Sequence, residues 1–189
     1  AGLGANVTIF DISLDRLRRL DDIMPANVNT QFSSRYNILD AIKSAHLVIG
    51  AVLIPGAKAP NLITKDMLKH MKIGTVLVDV AVDQGGCFET SKVTSLDRPI
   101  YKKHDIIHYC VPNIASLVSR TASHALSNVI APLVLQMGDE GGVEDMIRNH
   151  VGIQTGVYLY NGTLTNKYLG ESLNLPCKDL KLLLAAFNS

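Results

Sequence analysis

The stretch Thr75 to Glu89, TVLVDVAVDQGGCFE, constrains the fold of this chain more than any other segment. Val76, Leu77, Val78, Val80, Ala81 and Val82 form a nearly unbroken, largely β-branched run, as expected of a parallel strand buried on both faces. Asp79 and Asp83 interrupt that run, and Gly85-Gly86 turns the chain after it. Burying an unpartnered ionised carboxylate costs several kcal/mol, so Asp83 at the strand exit either faces a ligand, holds a polar network or caps the glycine turn.

The segments on either side follow an alternating pattern. Asn6 to Phe10 reads as a short strand ending at Asp11, and Ser13 then N-caps a helix over LDRLRRLDDIM. A strand at Val28 to Gln31, a helix from Tyr36 to Lys43 and a strand from Leu47 to Val52 continue it. Pro55, Gly56 and Pro60 mark an irregular loop, after which a helix is expected from near Thr64 to the Lys72–Gly74 end signal. Ile106 to Val111 supplies a further strand. Strands alternating with helices imply an α/β fold with a doubly wound, mostly parallel sheet, whose ligands bind outside the carboxyl ends of the strands. Asp11, Val52 to Ile54, Asp83 and Val111 to Asn113 lie at those ends.

Beyond Pro112 the alternation stops. Ser123 to Met137 reads as an apolar helix interrupted by Pro132, Glu144 to His150 as a second helix, and Asn161-Gly162 as a tight hairpin turn. Asp179 to Phe187 reads as a terminal amphipathic helix. The expected division is a partial nucleotide-binding domain over 1–120 and a connecting helix with a second-domain segment over 121–189.

Composition narrows the partners. The chain has 189 residues, 47% of them hydrophobic, enough for one domain or one and a part. Its formal net charge is +1 and it has no basic stripe, which favours neither nucleic acid nor an anionic membrane. Its apolar runs are shorter than the ~18 residues a membrane helix needs, so a soluble protein is expected. Cys87, Cys110 and Cys177 have neither an even count nor metal-ligand spacing, as in a reducing, cytoplasmic setting without disulfides, and no metal site is expected. The first residues carry no signal segment and read as a truncated start.

Asp11 stands where a dinucleotide-binding domain places the acid that accepts the adenosine ribose hydroxyls, although an isolated strand-end Asp serves equally as an N-cap. The glycine fingerprint of such domains lies about 20 residues before that acid. Only ten residues precede Asp11 here, and Gly2-x-Gly4 reads as a helix end and turn, so the first strand and phosphate loop are expected to be missing.

Three motifs make the reading specific: GAVLIPGAKAP (Gly50 to Pro60), VDVAVDQGGCFE (Val78 to Glu89) and HYCVPNIASLVSRTASHALSN (His108 to Asn128). In order and spacing they resemble the L-alanine dehydrogenase family, and the likeness runs through YNGTLTN, covering that family's second half. The resemblance implies NAD as cofactor, with Asp11 and Arg16 at the adenosine and Ser33 on the adenine side. Val52 and Leu53 would line the nucleotide cleft, and Val80, Ala81, Val82 and Asp83, with Val111, Pro112, Asn113 and Ile114, would lie near the nicotinamide. Asp83 matches the family's catalytic aspartate, which works beside a histidine that, like the substrate-clamping residues, would lie upstream of Ala1. None of the six histidines here matches that histidine, and Cys87 and Cys110 read as small buried groups.

The implied reaction is the reversible oxidation of L-alanine to pyruvate and ammonia by a homo-oligomer, a hexamer by resemblance, with the isolated chain inactive. One alternative is a nucleotide-binding module without chemistry, similar to the soluble domain of a proton-translocating transhydrogenase. Another is a scaffold fragment. One departure stands out: where the family commonly has Ala-Asn-Met-Pro, this chain has Pro112-Asn113-Ile114-Ala115, which keeps the Asn.

Overall fold

A computed structural model describes residues 1–186 as two compact units. The first comprises residues 1–53 and 58–113, the second residues 54–57 and the described residues from 114 on. The division falls ahead of residue 120, and a short piece of the PGAK loop goes with the second unit.

In the first unit, β1 (Val7–Asp11) pairs in parallel with β2 (Val28–Phe32), from Val7 opposite Val28 to Asp11 opposite Phe32. Between them runs α1 (Leu14–Ile23), which starts because the Ser13 hydroxyl accepts the Arg16 N–H and stops two residues before Pro25. Its Leu17 is buried. Helix α2 (Arg35–Ile42) opens the same way, with Ser34 Oγ accepting the Asn37 N–H at 3.1 Å, and buries Ile38 and Ile42.

The second sheet has the order β3-β4-β6-β5. Strands β3 (Leu47–Gly50), β4 (Val76–Asp79) and β6 (Ile106–Tyr109) are parallel, and β5 (Ile100–Lys103) joins β6 as an antiparallel edge. The parallel strands of this α/β unit therefore form two separate sheets among the described residues. Ile38, Ile63, Met67, Leu68, Leu77 and Phe88 meet in its core.

Several expected boundaries move. The apolar run after Asp79 does not continue as strand: the Asp79 carboxylate takes the Ala81 N–H at 3.1 Å, and Val82–Gln84 closes into a 3-10 turn. An amide bonded to a side chain two residues back is lost to the strand ladder. The helix expected from Thr64 to Lys72 shrinks to one 3-10 turn, Met67–His70, whose Met67 and Leu68 are buried. Strand β5 was not expected at all. It turns into β6 through His104 (φ +52) and Asp105 (φ +61), a tight hairpin built without the usual Asn-Gly pair.

The second unit carries α3 (Ser119–Asp139), continuous through Pro132 where an interruption was expected, and no residue of it is buried. Then come α4 (Val143–Asn149), α5 (Val151–Gln154), the hairpin β7 (Leu159–Tyr160) and β8 (Thr163–Leu164), α6 (Lys167–Leu173) and α7 (Leu180–Ala186). The hairpin turn falls on Asn161 (φ +45) and Gly162 (φ +74), as expected. Ile147, Tyr160, Leu180 and Leu184 form a small core. Over it, Glu144 accepts the Tyr160 hydroxyl at 2.7 Å and pairs with Arg148 at 2.9 Å, two bonds that hold its carboxyl below the usual carboxylate range. Of the expected terminal helix, Phe187 lies outside the described residues.

Candidate functional site

The parallel register aligns the strand ends. Gly50 of β3 stands opposite Asp79 of β4, and Val78 opposite Tyr109 of β6, so three chain segments leave the same edge of the sheet side by side. Val80 donates its N–H to the Gly50 carbonyl at 2.8 Å, which fastens the exit of β4 to the end of β3. Gly50 itself is dictated by packing, because a Cβ there would lie 2.8 Å from Cys87 Cβ and 2.8 Å from Phe88 Cζ.

From β3 emerge Val52, half-buried against the core, and Leu53, which is exposed. From β4 emerge Val80, exposed, then Ala81 and Val82, buried, then Asp83, whose side chain is on the surface. From β6 emerge Val111, buried, Pro112, half-buried, and Asn113, exposed in the left-handed region at φ +51. Asp83 and Asn113 are brought together: the Asn113 N–H reaches Asp83 Oδ2 at 3.4 Å, a long bond. Ile114 begins the second unit.

The loop carrying Asp83 is gripped from below. Asp79 is fully buried, and its carboxylate accepts the Ala81 N–H at 3.1 Å, the Cys87 N–H at 2.9 Å and the Ser91 hydroxyl. Next to it, Cys87 is also fully buried; burial pushes its thiol up, and the Asp79 charge pushes the same way, so it is a protonated packing group. His108 belongs to β6 and stands opposite Tyr101 of β5, its ring stacked on that tyrosine with centroids 4.8 Å apart. Its Nδ1 faces the Ile106 carbonyl at 3.2 Å, an acceptor only, so Nδ1 carries the proton and Nε2 accepts from Thr90 Oγ1 at 2.8 Å. Burial pushes His108 down and keeps the ring neutral.

The ends of β1 and β2 carry the other candidate residues, Asp11 and Ser33. Asp11 Oδ1 accepts the Ser13 N–H at 2.7 Å, and Oδ2 stands 3.8 Å from Arg16, a loose and largely solvated pair. The helix cap is Ser13, so Asp11 retains acceptor capacity. Ser33 donates its N–H to the Asp11 carbonyl at 2.9 Å and lines a cleft of about 210 Å³ with Ser34, Ile38, Asn61, Leu62 and Thr64. Thr64 Oγ1 is buried there without a hydrogen-bond partner. Sequence reasoning missed Thr64, which it read as a helix start, and gave Asp79 no role beyond interrupting a strand. No cluster of three or more His, Cys, Asp or Glu suited to a metal occurs among the described residues, and none of their helices is long and apolar enough to cross a membrane.

The profile of the family described as alanine dehydrogenase/PNT, C-terminal domain, matches residues 1–167. The chain belongs to this family. An alanine dehydrogenase of Staphylococcus saprophyticus is 46% identical over 181 residues, covering 95% of this chain and 48% of that protein. One from Mycolicibacterium smegmatis is 44% identical over 185 residues, covering 98% and 50%. Among solved structures, an L-alanine dehydrogenase is similar at a TM-score of 0.78 with 36% identity, over 92% of this chain and 47% of that one. A transhydrogenase of Sinorhizobium meliloti is similar at 0.63 with 25% identity, over 72% and 38%. The alanine dehydrogenase/PNT segment described here thus spans about half the length of the relatives it matches.

Proposed function

We propose that this chain is the nucleotide-binding part of an NAD-dependent alanine dehydrogenase, which interconverts L-alanine and water with pyruvate and ammonium. The observation that carries the reading is the position of Asp83, exposed at the exit of β4 and bonded to Asn113 from the exit of β6. Alanine dehydrogenases at 46% and 44% identity support the substrate assignment over a transhydrogenase-like module, to which the likeness is 25%.

The residues present fit the adenosine end of a dinucleotide. In the cleft, the partnerless Thr64 Oγ1 supports a polar ligand beside Ser33, and Asp11 at the end of β1 is suited to ribose hydroxyls. Arg16, 3.8 Å from that carboxylate, leaves room for it to face a hydroxyl pair. When bound, NAD takes up the hydride from the substrate carbon. Val52, Leu53 and Val80 present apolar surface at the strand ends and thin the water around the reacting carbon. Asp83 holds and orients the water that adds to the imine, receiving its proton, while the Asn113 N–H steadies the carboxylate. The intact enzyme is read as a cytoplasmic homo-oligomer, a hexamer by family resemblance, which light scattering measures directly.

The test is Asp83→Asn in the full-length protein. Loss of a positioned acid-base group predicts a fall in kcat on the order of 10²-fold with a smaller change in NAD affinity. A variant that keeps most of its kcat returns Asp83 to a turn-capping role. NAD binding without any alanine turnover by the full-length wild type would instead favour the transhydrogenase-like module.

A further inference from the structure

Asp79 is a fully buried carboxylate that the proposed chemistry does not use. It ends β4 at 0% exposure, and each of its three hydrogen-bond donors, Ala81 N, Cys87 N and Ser91 Oγ, is uncharged. A buried carboxylate is costly, and for stability alone a neutral, well-packed side chain serves as well or better. Its value lies in acceptor geometry: two oxygens without protons take several donors at once, whereas an amide would point N–H groups at one of them. The donors sit on both sides of the segment 82–86. Ala81 precedes it, and Cys87 and Ser91 follow it.

The return leg is pressed against the same carboxylate. Gly86 sits at φ +82, and a Cβ there would lie 2.7 Å from Asp79 Oδ2 and 2.8 Å from Ser91 Cβ. The path of the loop is therefore fixed at both ends by one buried group, and Asp83 rides on that loop four residues beyond it.

We propose that Asp79 is a positioning residue, whose buried carboxylate sets the path of residues 82–86 and with it the approach of Asp83 to the Asn113 N–H. The consequence for catalysis rests on the reading of Asp83 given above.

The test uses the full-length enzyme with Ser91→Ala, Asp79→Asn and, in parallel, Asp83→Asn. Ser91→Ala removes one of three donors and leaves the charge in place, so it carries the test even where Asp79→Asn does not fold. The expected result is a fall in kcat on the order of tenfold for Ser91→Ala, larger for Asp79→Asn, with KM for NAD changed less than about threefold. A purely structural role would lower the yield of folded enzyme and leave kcat per folded active site unchanged. The crystal structure of Ser91→Ala should show the loop displaced and the Asp83–Asn113 bond lost. A loop in its original place overturns the proposal whatever the activity, as does loss of kcat in Asp83→Asn with wild-type kcat in the other two variants. A displaced loop with unchanged kcat in both Ser91→Ala and Asp83→Asn upholds the positioning and overturns the role given to Asp83.

Discussion

Adjacent glycines in the QGG turn allow backbone strain to be separated from packing. Gly85 and Gly86 both have positive φ, +93 and +82, so an alanine at either pays the left-handed penalty of about 1–2 kcal/mol. What a new methyl group would meet differs. At Gly85 it would lie 2.6 Å from Cε and 2.7 Å from Cγ of Lys58, an exposed side chain free to swing into solvent. At Gly86 it would lie 2.7 Å from Asp79 Oδ2, which cannot move without breaking buried hydrogen bonds, and 2.8 Å from Ser91 Cβ. Overpacking of that kind adds about 1–3 kcal/mol. Gly85→Ala should therefore cost about 1–2 kcal/mol and Gly86→Ala about 2–5 kcal/mol. For a protein of this size each kcal/mol lowers Tm by about 2–4 °C, which separates the two variants in urea or thermal unfolding followed by circular dichroism. Equal destabilisation by the two substitutions would refute the claim that the Asp79 carboxylate dictates glycine at 86.

Other expectations follow from the same geometry. His108 is buried neutral with its pKa pushed down, so the unfolded chain binds a proton that the native protein refuses. Stability should hold above pH about 6.5 and fall as pH drops toward the lowered native pKa, and His108→Gln should flatten that slope in pH-dependent urea titrations. Thr64→Val removes a buried hydroxyl that has no partner, so the protein without nucleotide should be stabilised by about 1 kcal/mol or left unchanged while NAD affinity falls; an unchanged affinity by calorimetry removes Thr64 from the site. Asp11 should favour NAD over NADP by repelling a 2′-phosphate, and equal kcat/KM with the two cofactors in the full-length enzyme would sink that role.

Periodicity carried the parallel core because its residues answer to local rules. Ser13 was readable as a helix cap, and its hydroxyl accepts an amide three residues on. Asn161-Gly162 was readable because its residue types tolerate positive φ. The equivalent turn at His104-Asp105 was not, although both residue types tolerate positive φ, because it lacks the Asn-Gly signal and joins β6 to an edge strand that the apolar pattern did not mark. The helix expected from Thr64 failed for a different reason. Its start and end signals were present, but Ile63 bridges to Phe88 and Leu62 N bonds the Cys87 carbonyl at 2.7 Å, which holds residues 62–63 extended, so the chain turns only at Lys65-Asp66 into the short 3-10 segment.

The site divides along the same line. The strand-end placement of Asp11, Asp83 and Asn113 was legible because a strand end can be located from an apolar run. The groups beneath them were not, because burial and partnership are long-range properties. Asp79 looked like an interruption, yet it is the reason the strand stops: an uninterrupted apolar run would have carried the ladder on past residue 79, and the carboxylate withdraws the Ala81 amide from it. That withdrawal turns the chain into the 3-10 segment Val82–Gln84 and brings Asp83 to the surface beside Asn113. The residue that interrupts the apolar pattern is thus the one whose carboxylate takes the first amide of the turn that follows the strand.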